Sequence, residues 1–595
     1  MLTPTVLVAV AAAATRPPVD IPPDHFTKAE LTSFRSTPSF DETVAFLLRL
    51  TATSPYLRID YFGSTGQGRR MPVVIASKER AFTPDAAWKS GKPIVLVLAS
   101  IHAGEVDGTD ASLILLRDLA LGNRPEILDG VTLLVVPIYN IDGHERTSKF
   151  NRPNQNGPVD GMGFRSSARG LDLNRDWLKA DAPETRALVS LAAAWKPDLF
   201  VDNHVTDGAD FQATLTLSYA NEPYTPKPLA DWLKKVVPRA LRSVEELGYK
   251  TAPYVDFVDH LDPLKGIDAG PSSPRYSTGY FPLRGVASIL VETHAIKPYG
   301  DRVKSNEAFL HALLAETAGE AKSLLAARET VRQEARRGVV GSLVPVDAET
   351  DRTRPETIDF RTFAWSTAIS EVTGKPVVRY DRTKPMTVKV PVFEHTKTTR
   401  TVPRPAAFLV PSGWPGVEDR LKAHGVRYQK LETAQTLAVG TYRASAESFA
   451  KASYQGRTRV SAKIARRTET RLVPANSLYV PLDTELAGTI IHLLDPESPD
   501  SLFAWGEFNT VFEQKEYADV RVLDGLLVEK LKDAAFKAEW EEKLKESNFA
   551  NDTRARMRFV YERTPYWDEM LGLVPVYRLD APLTLPVSGA EKPGS

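Results

Sequence analysis

The stretch Ile94-Val-Leu-Val-Leu-Ala-Ser-Ile-His-Ala-Gly-Glu-Val-Asp-Gly108 decides how the first half of the chain folds. From Ile94 to Ile101 it is an aliphatic run with the composition of a strand buried on both faces. The run stops at His102, Glu105 follows three residues later, and Gly104 allows the backbone to turn between them. Apolar residues at Leu113, Leu115, Leu116 and Leu119 predict a helix just beyond. An imidazole and a carboxylate are thereby placed together at the C-terminal end of a central strand, where open α/β sheets bind their ligands. Alone, His-x-x-Glu reads better as a strand-end histidine followed by a helix-start acid. Its meaning depends on what else the chain supplies.

Outward from this stretch the pattern alternates. Tyr56–Phe62 and Met71–Ser77 read as a hairpin closed by Gly63–Gly68, after a helical pattern around Thr43–Leu50. Val131–Ile138, Leu199–Asn203 (ending at His204) and Val286–Val291 (leading into Glu292) read as buried strands. Helices are expected over 183–195, with Pro183 in the first turn, over 224–247, and as one long charged helix over 305–336. A Gly/Asn/Pro-rich loop spans 150–170, a length that is uncommon without a function. Strands alternating with helices predict an α/β fold: a mixed, largely parallel sheet with helices on both faces. Past Gly338 the texture changes to Thr, Val and Pro with short alternating segments such as Met386–Val392. Residues 407–431 resemble a β-α-β unit, and 517–547 read as one charged amphipathic helix. We expect a separate C-terminal α+β accessory domain over 336–595, following a domain over 19–335.

A length of 595 residues is too great for one ordinary core. Lys+Arg and Asp+Glu both number 75, so the formal net charge is zero and nothing favours nucleic acid as a partner. With no cysteine, any metal must be held by His, Asp or Glu, and only ten histidines are available. The apolar run Val6–Ala14, followed by Arg16-Pro17-Pro18, predicts a secretory signal over 1–18, although it lacks a positive leading region. That implies a periplasmic or secreted protein. No other stretch is long and apolar enough to span a membrane.

Five pieces recur in order: His102-Ala-Gly-Glu105, Asn140-Ile-Asp-Gly143, Asp172-Leu-Asn-Arg175, Asp202-Asn-His204 and Val291-Glu-Thr293. Over residues 45 to 325 this series resembles the carboxypeptidase A-type family of zinc metallopeptidases. The resemblance implies one Zn2+ per chain, held by His102, Glu105 and His204. Two imidazoles and a carboxylate suit zinc without cysteine and leave a position open for water. It also implies that Asp172 orients His102 and that Asn174 and Arg175 bind a substrate's free C-terminal carboxylate, since a planar carboxylate wants a bidentate guanidinium. An arginine should stabilise the oxyanion; Phe164-Arg165 matches best, with Arg152 and Arg169 as alternatives. Glu292 is the implied general base and acid. Tyr276 and Tyr280 both fit the family's mobile tyrosine, while His294 fits a structural role. The implied reaction is zinc-dependent hydrolysis of the C-terminal bond of a peptide or peptide-like substrate. The alternative on the same site is a cell-wall peptide hydrolase or an N-acyl amino-acid deacylase. Asp495–Trp505 and Phe512–Tyr517 resemble the C-terminal extension of large bacterial relatives, where Trp505, Phe508 and Phe512 read as core or as a ligand platform.

Overall fold

The computed structural model describes residues 20–206 and 208–589; the expected signal sequence lies outside them. The first half contributes strands β1 (Leu57–Ser64), β2 (Arg70–Ala76), β3 (Ile94–Ala99), β4 (Thr132–Val136), β5 (Leu199–Thr206), β6 (Leu215–Tyr219), β7 (Thr251–Pro253), β8 (Ile267–Asp268) and β9 (Ala287–His294). All but β8 form one sheet in the order β1-β2-β4-β3-β5-β9-β6-β7. The four central strands β4, β3, β5 and β9 are parallel, and antiparallel pairs flank them. The chain leaves β3 for β4 on one side and later enters β5 on the other. The switch point of the sheet therefore lies between β3 and β5, and a crevice opens there beyond the strand ends.

Alternation along β3 explains its aliphatic composition. Val95 and Val97 face a core shared with the helices Phe40–Thr53, Asp107–Ala120, Lys227–Glu246 and Tyr299–Gly319. Ile94, Leu96 and Leu98 face the opposite core, which contains the helix Pro183–Trp195 and continues into Phe408, Tyr442, Ile490 and Val576 of the second half. The second half thus completes the cover of the face on which the helix Pro183–Trp195 packs.

The second half adds β10 (Leu343–Thr350), β11 (Glu356–Ile369), β12 (Pro376–Phe393), β13 (Thr396–Pro403), β14 (Ala407–Val410), β15 (Gln429–Lys430), β16 (Gln435–Phe449), β17 (Val460–Val473), β18 (Leu478–Pro481) and β19 (Tyr577–Leu579). Six of these form a sheet, β15-β18-β14-β19-β16-β17. The short strands expected before residue 410 are instead long ribbons. β11 and β12 pair from Glu356 with Val392 to Ile369 with Pro376, and β12 docks on β8. Pro385 sits at the register shift of the ribbon, where a missing donor is tolerated. Two expected single helices are each divided. The 305–336 pattern falls into Tyr299–Gly319 and Ala321–Arg337, parted at Gly319. The 517–547 pattern holds Val520–Lys530 and Ala534–Lys543, because Asp533 caps a new start by accepting from the N–H groups of Ala535 and Phe536.

One buried acid beneath the sheet gives a pH signature to stability. Asp110, in the first turn of its helix, accepts from the Tyr299 hydroxyl, and burial raises its carboxyl to about 7. A folded-state value above the unfolded 3.8 means stability that is complete below about pH 4 and lost as pH rises towards 7. Asp110→Asn is expected to remove that fall, on the order of 4 kcal/mol, in denaturant unfolding measured from pH 4 to 8. An unchanged pH slope would contradict this.

Candidate active site

His102 and Glu105 sit where β3 ends. Ser100, just past the strand, has φ of 55°, and Glu105 N–H donates to the His102 carbonyl at 2.8 Å, so the chain folds back on itself. Gly104 is required by crowding rather than by a left-handed backbone. A Cβ there would lie 2.5 Å from the Gly163 carbonyl oxygen and 2.7 Å from Arg152 Cγ. The long loop over 150–170 therefore packs directly on this turn. Asn140 supports both, accepting from Gly143 N–H while its NH2 donates to the carbonyls of Ile101 and Arg165. The Asn140–Gly143 motif is structural.

His204 and Glu292 face each other on neighbouring parallel strands, paired in register between β5 and β9. β5 is longer than its apolar run suggested and carries His204 within it. His102 Nδ1 lies 3.1 Å from Glu105 Oε1, His204 Nδ1 lies 3.0 Å from Glu105 Oε2, and the two Nδ1 atoms are 3.2 Å apart. Each imidazole presents its other nitrogen to a carboxylate: His102 Nε2 to Asp172 Oδ1 at 3.0 Å, and His204 Nε2 to Asp202 Oδ2 at 3.0 Å. Those carboxylates favour protons on both Nε2 atoms. Two Nδ1 lone pairs and an anionic carboxylate then converge in a buried space, which is costly without a cation among them. Tetrahedral zinc with Zn–N near 2.0–2.1 Å would hold its ligand atoms roughly 3.3 Å apart, close to the spacings seen. Among the described residues three such groups of His and acidic side chains occur, and only this one is wholly buried.

Charge around the group is tightly balanced. Burial disfavours the Glu105 anion, but His102 and Arg152 hold its carboxyl well below the usual range; Arg152 Nη2 donates to Oε1 at 2.7 Å. Burial likewise opposes the His204 cation, yet Asp202 and Glu105 raise it well above the ordinary histidine value. Asp172 is held low against burial by His102, Arg165 and Arg175. Glu292 goes the other way. Burial, together with the nearby Glu105 and Asp202 charges, lifts it to about 8, against the pull of His204 and Arg152, and its Oε2 has no hydrogen-bond partner among the described residues.

His102, Glu105, Arg152, His204 and Glu292 line one cleft of about 750 Å3. Arg165 sits in it with Nε and Nη2 on Asp172 Oδ2 (3.1 and 2.8 Å) and Nη1 3.7 Å from Glu105. Arg152 also lines the cleft, whereas Arg169 donates to the Asp181 carbonyl and does not. Asn174 is fixed because its carbonyl oxygen accepts from Trp177 Nε1 and Ser277 N–H, leaving its NH2 beside His204. Arg175 lies 4.4 Å over the Tyr276 ring. Tyr276 is therefore in the cleft, but Tyr280 is not. Tyr280 is fully buried against Trp177 and Phe281, and its hydroxyl donates to His424 Nδ1 at 2.7 Å, so its expected substrate contact is corrected to a core role. His294 stacks on Phe211 and donates to the Ala209 carbonyl, away from the ligand group. Trp505, Phe508 and Phe512 are packed rather than presented as a platform.

Sequence reasoning missed Asp202, whose signal was a charged residue two positions before His204 in a buried strand and thus on the same face. It also missed Tyr254, Asp256, Asp268 and Thr350 on the cleft wall. Nothing local marks these, since Thr350 comes from β10 and donates to Asp268 across the two halves.

The family model described as zinc carboxypeptidase matches residues 43–254, ending before Glu292. Carboxypeptidase 2 of Trichophyton rubrum is 24% identical over 501 residues, covering 79% of this chain and 84% of that protein. Carboxypeptidase 2 of Trichophyton tonsurans is 23% identical over 493 residues, with the same coverage. Both alignments are longer than the first half, so they run into the second. Carboxypeptidase A from Helicoverpa armigera is 17% identical with a TM-score of 0.37, over 50% of this chain and 75% of that one.

Proposed function

We propose, from the match of residues 43–254 to the zinc carboxypeptidase family model, that this chain removes the C-terminal residue of peptides at the cleft between β3, β5 and β9. The observation that carries this reading is the convergence of His102 Nδ1, His204 Nδ1 and the Glu105 carboxylate, each imidazole backed by its own carboxylate. These three residues would hold one zinc. Bound there, zinc supplies a Lewis acid and lowers the pKa of a water to roughly 7.

The chain's own residues do the rest. Arg175 and the NH2 of Asn174 receive the substrate's terminal carboxylate and place the last peptide bond over the ligand group. Glu292, whose buried Oε2 has no hydrogen-bond partner among the described residues, takes a proton from the attacking water. It then gives that proton to the departing amine. Arg165, held against Asp172, faces the scissile carbonyl and stabilises charge as it develops, with Arg152 as the neighbouring cation. The comparisons do not favour the cell-wall or N-acyl alternative.

Elemental analysis of freshly purified protein tests the reading: one zinc per chain is expected, and a protein without zinc would end it. Arg175→Lys tests the carboxylate contact. Loss of the planar fork is expected to raise KM about 10- to 100-fold with kcat changed far less; an unchanged KM would remove Arg175 from the substrate.

A further inference from the structure

We propose that the second half of the chain positions this site, and that Gln455 is the residue through which it does so. The inference rests on the zinc reading above and assigns a task to residues that the family motifs do not contain.

The segment carrying Asp172, Asn174 and Arg175 has little regular structure: a single 3-10 turn, Leu173–Arg175, with Asp172 as its cap. Beside its first-half contacts, it is anchored by several residues from the other half of the chain. Gln455, at the tip of the β16–β17 hairpin, accepts the Asp172 N–H at 2.8 Å. His424 Nε2 donates to the Leu178 carbonyl at 2.9 Å and Arg420 Nε to the Lys179 carbonyl at 3.1 Å. Arg457 grips Asp181 with Nε and Nη2 at 2.8 and 2.7 Å, and Arg420 adds a third bond at 2.6 Å. The tip itself is locked by the pairing of Tyr454 with Arg457.

Gln455 matters most because of what hangs on Asp172. Oδ1 of that carboxylate accepts from both His102 Nε2 and the Asn174 N–H, and Oδ2 accepts from Arg165. One backbone N–H therefore sets the carboxylate that orients a zinc ligand, the start of the substrate-binding turn and an arginine of the cleft. Without the Gln455 carbonyl that N–H loses its partner, and the whole group can shift. Gln455 touches neither zinc nor substrate, so it is a positioning residue.

The test compares Gln455→Met, which keeps length and removes the acceptor, with Gln455→Glu, which keeps an acceptor oxygen. Zinc release to a chelator is followed at 25 °C, beside kcat and KM for each zinc-saturated protein. Near-UV circular dichroism confirms that the variants are folded. Gln455→Met is expected to release zinc roughly 3- to 10-fold faster, below the 10- to 100-fold typical of losing a direct partner, with kcat falling more than KM rises. Gln455→Glu is expected to restore both. A merely structural role would lower the melting temperature and leave zinc release unchanged, and that result overturns the inference. A failure of Gln455→Glu to rescue overturns it too. Wild-type protein without zinc would overturn the site reading itself, and this inference with it, and is told apart by the wild-type measurement alone.

Discussion

Glu292→Gln is expected to keep its zinc and to lose turnover by on the order of a thousandfold. Glutamine preserves the shape of the side chain but cannot accept and return a proton. Burial raises Glu292 above the usual carboxyl range, and its Oε2 has no hydrogen-bond partner among the described residues. This buried carboxyl stands in register with His204 across β5 and β9, and burying it is costly unless it has a task. Because Glu292 is not among the ligand group, zinc content measured beside kcat separates its role from damage to the metal site. Turnover within a few-fold of wild type, with zinc present, would remove Glu292 from the chemistry.

His204→Ala is expected to act through the metal. Losing a partner behind a ligand costs about 10- to 100-fold in affinity, and loss of the ligand itself should exceed that. It also strands Asp202 and Glu105, which face His204 from both sides in a buried setting. The variant is expected to be purified with little zinc and to lose activity in proportion, with added zinc restoring little. Full zinc content in His204→Ala would show that the ion is held elsewhere.

The sheet and the ligand group were legible because they depend on short-range signals. The aliphatic runs before His102, His204 and Glu292 each stop at a residue that lines the cleft, although β5 and β9 themselves continue past it. Family order then joined residues far apart in sequence. What was not legible depends on contacts from distant residues. Tyr276 and Tyr280 look alike in sequence, and only the packing of Tyr280 on Trp177 and His424 takes it out of the cleft. The cleft wall at Asp268 and Thr350, and the hold of Gln455 on Asp172, require the second half to lie against the first. Long ribbons were hidden because proline at a register shift reads locally as a strand end. The single core running from Met71 to Val576 likewise has no local signature.

The central claim is that the cleft recognises a free terminal carboxylate and cuts the bond before it. Mass spectrometry of the products from one peptide, offered as the free acid and as the C-terminal amide, tests this most directly. The account predicts that the free acid is shortened by its last residue, that a chelator stops the loss, and that the amide is cut far more slowly. Equal cleavage of the two forms, or cleavage within the peptide, would contradict it.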